Sequence, residues 1–196
     1  MISGCRTAGT HDGGGIVSRM TSHAARASGW RTRPESPTDP ADAAAVRRIT
    51  RAAFETSAEA DLVDALRQDP AWIPGLSMLA LTPEGEPVGH ALLTRCHIGE
   101  MPALALAPCS VVPVHQRTGA GSAATRAGLD AARDLGEDAV VVLGHPEYYP
   151  RFGFERASSH GIRVGFDVPD EALMALSLTG CPLPTGTIRY PAPFGV

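Results

Sequence analysis

At 196 residues, 43% hydrophobic and 19% charged, the chain is long enough for one well-buried core, and its composition excludes a disordered or fibrous protein. Its formal net charge is −4 but unevenly spread: residues 1–33 hold five arginines against one acid, Asp12, and the acidic remainder weakly favours cationic partners. No apolar run nears the roughly 20 residues that cross a bilayer, and Cys5, Cys96, Cys109 and Cys181 form no CxxC pair, which argues against a membrane partner, a metal site and a disulfide framework.

Residues 1–28 read as a disordered extension, because Gly13, Gly14 and Gly15 interrupt any periodicity among small polar residues. The stretch has no apolar centre and so is not a secretory signal, and the expected location is cytoplasmic. Its spaced arginines lack aromatic partners, a poor footprint for nucleic acid. A domain is expected over residues 29–196, starting with a short strand near Trp30–Arg33. Asp39-Pro40 signals a helix start, followed by Val46, Ile49 and Ala53 at helical spacing. A second helix is read at Ala58–Gln68 and ends before Pro70. Strands at Ser77–Thr82 and Pro87–Cys96 flank the turn Pro83-Glu84-Gly85-Glu86. Ala103–Val112 reads as a buried strand and Ser122–Leu135 as a helix closed by Gly136. Ala139–Leu143 is a clear strand. Strand, helix and strand within about 40 residues make a crossover unit with a parallel strand pair. A helix near Pro169–Ser177 and short strands complete the reading. The fold class is α/β with a mixed sheet.

The segment Gln116-Arg117-Thr118-Gly119-Ala120-Gly121-Ser122 sits where a strand hands over to a helix. Two glycines let consecutive N–H groups turn toward one anion, and a helix start adds free donors and a favourable dipole. A pyrophosphate suits such a loop, and so does a plain tight turn. Gly119-Ala-Gly121-Ser-Ala-Ala124 also fits a dinucleotide fingerprint, but its first glycine lies too far past the strand. No acid ends the following strand, where Leu143 precedes Gly144 and His145.

Two motifs together carry a resemblance. Gln116-Arg-Thr-Gly-Ala-Gly121 resembles the Q/R-x-x-G-x-G/A loop of the GNAT superfamily of N-acetyltransferases. Tyr149-Pro-Arg-Phe-Gly-Phe154 resembles that superfamily's Tyr-x-x-x-Gly-Phe ending, and a helix and a strand separate the two as they should. Val142–Phe154 and Gly186–Pro191 are similar to a bacterial subfamily of predicted acetyltransferases. The likeness covers about residues 30–194.

The resemblance implies a mostly antiparallel mixed sheet with a parallel, splayed strand pair and flanking helices. It implies acetyl-coenzyme A as co-substrate and a small-molecule or peptide amine as acceptor. It also leaves room for a homodimer. Backbone from Gln116 to Gly121, with Ser122, would bind the pyrophosphate. Main chain at Ser110, Val111 and Val112 would pair with the pantetheine arm, and one N–H would polarise the acetyl carbonyl. Tyr149 would protonate the departing thiolate, while Tyr148 is assigned to packing. Cys109 reads as a small strand residue rather than an acetyl carrier. The family's Asn after the fifth strand is replaced by Gly144-His145-Pro146. His97, Glu100, His115, His145 and Glu147 are all candidate bases. A catalytically degenerate acyl-coenzyme A-binding module and a dinucleotide oxidoreductase are the alternative functions.

Overall fold

A computed structural model describes residues 29–196, so the extension read over residues 1–28 lies outside the described residues. The expected order holds through the first two-thirds of the chain: β1 (Arg31–Pro34), α1 (Pro40–Ala53), α2 (Ala58–Leu66), β2 (Ser77–Leu81) and β3 (Pro87–Ile98). Next come β4 (Met101–Val111), α3 (Ala120–Asp134) and β5 (Ala139–Leu143). The Asp39 side chain accepts from Ala41 N–H at 2.9 Å, and Pro40 supplies a first position that needs no donor.

β1 to β4 form an antiparallel meander, and β4 pairs with β5 in parallel across the α3 crossover. This is the mixed, mostly antiparallel sheet that the sequence implied. Alternate residues of each strand face opposite layers. Met78, Ala80, Ala91 and Leu93 pack with Ala124 and Leu129 of α3 on one face. Leu79, Leu81 and Leu92 pack with Val46, Ile49, Val63 and Leu66 of α1 and α2 on the other.

The C-terminal part departs from expectation. The helix read near Pro169–Ser177 is a 3-10 turn, Asp170–Ala172, followed by a strand, Leu173–Ser177. That strand is β8, after the two-residue strands β6 (Glu155–Arg156) and β7 (Ile162–Arg163). It pairs with β5 over five registered positions, from Ala139↔Ser177 to Leu143↔Leu173. A full ladder against a buried strand outweighs a run of good helix formers. Last, β9 (Gly186–Arg189) pairs antiparallel with the end of β3 and parallel with β7.

A buried polar line crosses the face beneath α1. Arg67 Nε donates to Glu35 Oε1 at 2.7 Å, which leaves Glu35 an acceptor only. Ser77 Oγ therefore donates to Glu35 Oε2 at 2.5 Å, and with its one proton committed it accepts from His90 Nε2 at 2.9 Å. The bookkeeping fixes His90 as a neutral Nε2–H tautomer. Its Nδ1 is buried without a partner among the described residues. Burial, with the charge of Arg67 adding to it, pulls His90 down to about 3. An unfolded histidine titrates near 6.5, so between pH 6.5 and about 3 the unfolded chain holds the extra proton. Stability is whole above that window and falls on acidification, by up to about 1.4 kcal/mol per pH unit. Urea midpoints from pH 7.5 to 4.5 check this: the slope shrinks in His90→Gln, and an unchanged slope contradicts it.

Candidate active site

β4 and β5 are registered only at Leu104↔Val140 and Ala105↔Val141. Beyond Ala105 the two strands part. The divergence coincides with a bulge, where Ala91↔Cys109 gives way to Leu93↔Leu106 and β4 carries one extra residue. Pro108, which has no N–H to give, sits in that irregularity, as prolines in sheets do. The last residues of β4 thus have a partner on the β3 side and an opening on the other.

Hydrogen bonds decide which groups face the opening. Val112 N–H donates to Val88 O at 3.0 Å. In an antiparallel ladder the bonding direction alternates, so Ser110 also faces β3, paired with His90, while Cys109 and Val111 point their main chain into the gap. Of the three residues expected to present main chain, only Val111 does so. The Val112 N–H is engaged by the sheet, and the ladder's phase turns that of Ser110 the same way, although Ser110, unlike Val112, still lines the cleft at that opening. The Val111 carbonyl accepts from Gln116 Nε2 at 3.1 Å, leaving its N–H the group on offer. Ser110 turns its hydroxyl under α1, 3.3 Å from Thr50 Oγ1.

The loop after β4 is held in a shape that ordinary residues resist. Gly119 has φ 100°, which a side chain would strain, and Arg117 has φ 60° with a side chain present. The Thr118 hydroxyl donates to His115 O at 2.6 Å and Trp30 Nε1 donates to Thr118 O at 3.0 Å. The helix begins at Ala120, two residues before the expected Ser122. Ala123 N–H is the first to find a helical carbonyl, Gly119 O at 2.9 Å, so those of Ala120, Gly121 and Ser122 project from the helix start. Val111, Gly121 and Ser122 border an open cleft of about 1200 Å³.

Both tyrosines line that cleft, as do His145, Glu147 and Arg151. Tyr149 is buried among Tyr148, Phe152 and Phe154, with edge-on ring contacts at 5.0 Å to Tyr148 and 5.7 Å to Phe154. Burial pushes its phenol above the ordinary value, and its hydroxyl bonds no described protein atom. Tyr148 does more than pack. Its hydroxyl lies 3.3 Å from Ser122 Oγ at the helix start, with Arg151 stacked on its ring at 4.6 Å. Cys109 Sγ sits 3.5 Å from Thr125 Oγ1, and burial raises its thiol. It is a poor nucleophile there. Of the five candidate bases only His145 and Glu147 are in the cleft. Glu100 pairs with Arg189, His115 packs edge-on against Trp30, and His97 borders a separate, smaller cavity.

Two groups at the site were not singled out from sequence, and a third, Gly144, was noted only within the segment that replaces the family's Asn. The Cys109 main chain depends on the ladder's phase and the Tyr148 hydroxyl on a rotamer, neither of which leaves a sequence signal. Gly144 had one: it stands where the family pattern has Asn. Here it seats a ring, because a Cβ at Gly144 would collide with Tyr149 Cε2.

Compared with protein families, residues 43–154 match the Acetyltransferase (GNAT) family. The chain is 42% identical over 165 residues to the uncharacterized N-acetyltransferase YjhQ of Escherichia coli K12, covering 80% of this chain and 91% of YjhQ. It superposes on the crystal structure of YhbS from Escherichia coli in complex with CoA with a TM-score of 0.75. Identity is 28%, with 89% of this chain and 97% of that one covered. A GNAT family acetyltransferase from Brucella melitensis in complex with acetyl-CoA gives a TM-score of 0.68 at 31% identity, with 84% and 97% covered. The splayed sheet and the glycine-capped helix start are thus those of an acyltransferase fold. The chain belongs to the GNAT acetyltransferase family. It is an enzyme of the acyltransferase class.

Because Gly144 lies under the Tyr149 ring, Gly144→Ala forces that ring or its strand end to move. The expected cost is about 1–3 kcal/mol of unfolding free energy, the range for overpacking a fixed site. Chemical denaturation measures it, and a variant as stable as the parent would mean that the ring is free to shift.

Proposed function

We propose that residues 29–196 form a catalytic unit that transfers the acetyl group of acetyl-coenzyme A to a primary amine of a small molecule or peptide. The observation that carries this reading is convergence. One unpaired strand N–H at Val111, the helix-start residues Gly119, Gly121 and Ser122, and the Tyr149 phenol border a single cleft. The GNAT neighbours solved with CoA and acetyl-CoA support the same occupant.

In this reading the Gln116–Ser122 loop holds the pyrophosphate through backbone N–H groups and the helix start. Cys109 and Val111 receive the pantetheine arm as an added strand in the β4–β5 gap. Of the two, Cys109 lies farther from the pyrophosphate loop, so its N–H points to the acetyl carbonyl at the end of the arm and stabilises the oxyanion as the amine attacks, while Val111 N–H pairs with the arm. The C–N bond forms, the C–S bond breaks, and Tyr149 gives its proton to the departing thiolate. Burial, which makes the phenol a weaker acid than an ordinary tyrosine, keeps Tyr149 protonated at neutral pH. It also makes the phenol a reluctant acid, so the proton moves as the thiolate forms rather than before. His145 and Glu147 face the same cleft and are the groups placed to take the amine's proton, through water. The acidic body favours a cationic acceptor by steering.

Release of coenzyme A thiol across a panel of amines, polyamines, aminoglycosides and peptide N-termini tests the activity. Thiol release that depends on an acceptor supports it; coenzyme A binding without release from any acceptor favours a binding module instead. Within the reaction, Tyr149→Phe lowers turnover by about 10²–10⁴-fold with coenzyme affinity nearly unchanged, the size of a lost general acid. Tyr148→Phe acts mainly on coenzyme affinity through Ser122. Equal turnover of Tyr149→Phe and the parent would remove Tyr149 from the mechanism.

A further inference from the structure

Trp30 precedes β1 and is far in sequence from the cleft, yet it reaches the loop that borders it. Its indole Nε1 donates to Thr118 O at 3.0 Å, and its ring meets His115 edge-on with centroids 5.6 Å apart. The rest of the ring packs against the apolar layer under α3, so the indole is anchored as well as bonded. Thr118 and Gly119 line the cleft and Trp30 is not on its wall. In a trans peptide the carbonyl and the following N–H point in opposite directions. A Thr118 carbonyl drawn outward to Trp30 therefore turns Gly119 N–H away from Trp30, toward the cleft. The neighbouring backbone is a conformation that needs such holding: Arg117 is the one residue other than glycine with positive φ among the described residues. A conformation of that kind persists only where its surroundings over-determine it.

We propose that Trp30 is a positioning residue for the pyrophosphate-binding loop, which fixes the Thr118–Gly119 peptide plane so that Gly119 N–H meets a phosphate oxygen. This rests on the acetyl-coenzyme A reading above. Trp30 touches neither the acetyl group nor the acceptor. Its effect is confined to donors that carry the pyrophosphate and falls on affinity rather than on the chemical step. The residue lies outside both motifs that mark the family, and residue 31 onward already forms the edge strand that carries it.

The test is Trp30→Phe, which keeps an aromatic ring on His115 and removes the N–H. Calorimetry with coenzyme A and steady-state rates with two donors, acetyl-coenzyme A and S-acetylpantetheine, are compared with the parent. Losing one neutral hydrogen bond predicts about a threefold to tenfold rise in Kd for coenzyme A and in KM for acetyl-coenzyme A. Turnover at saturation stays the same, as does kcat/KM for S-acetylpantetheine, which lacks the pyrophosphate. Equal Kd in variant and parent overturns the proposal and leaves the acetyltransferase reading intact. Equal losses with both donors, or a loss that tracks a lowered melting temperature, overturn it in favour of a merely structural tryptophan. A parent that binds no coenzyme A overturns both readings.

Discussion

Parallel strands stay together only while both backbones can satisfy one another, and β4 and β5 manage this for two residues before they part. The bulge at Ala91/Leu93 puts one extra residue into β4, and the strand beyond it bends off the path that β5 follows. What is left is a length of strand edge inside the protein, lined on one side by the start of α3 and on the other by the tyrosines after β5. An open edge is a place for another strand. The loop, the helix start and the aromatic cluster all owe their position to where β4 and β5 separate.

Keeping such a cleft open carries costs that the surrounding structure offsets. Arg117 stands in the left-handed region at an expense of order 1–2 kcal/mol. Val111 N–H has no ladder partner, and the Tyr149 ring leaves room only for glycine at position 144. Against these stand the two apolar layers on the sheet and the polar line Arg67–Glu35–Ser77–His90, which ties β1, β2 and β3 together beneath the helices. β3 in turn engages Ser110 and Val112, so the same ladder that holds β4 decides which of its amides remain free.

Much of this was legible in the sequence because local chemistry and global structure agree over most of the chain. Asp39-Pro40 opens a helix, Ala139–Leu143 is a strand, and Gly119 of Gln116–Gly121 does mark a turn with positive φ. Where tertiary structure overrides local preference, the reading failed. Leu173–Ser177 looks helical and is a strand because β5 needs a partner on its far side. Val112 looked like part of the open edge, and only the phase of the β3–β4 ladder reveals that its N–H is committed. Tyr148 and Tyr149 are adjacent in sequence, but their hydroxyls serve different places: one meets Ser122 at the helix start, the other has no described partner. No periodicity encodes that division, which depends on how the turn after β5 is seated.

Amide hydrogen exchange, followed residue by residue with and without saturating acetyl-coenzyme A, addresses the open edge most directly. Val112 is bonded to Val88 in the free protein and should exchange slowly in both states. Val111 and the amides from Gly119 to Ser122 should exchange faster in the free protein and become protected in the complex, with Val111 slowed because the added strand occupies the β4–β5 gap. Unchanged exchange at Val111 in a complex that does form would contradict the strand-addition geometry and place the coenzyme elsewhere on the fold.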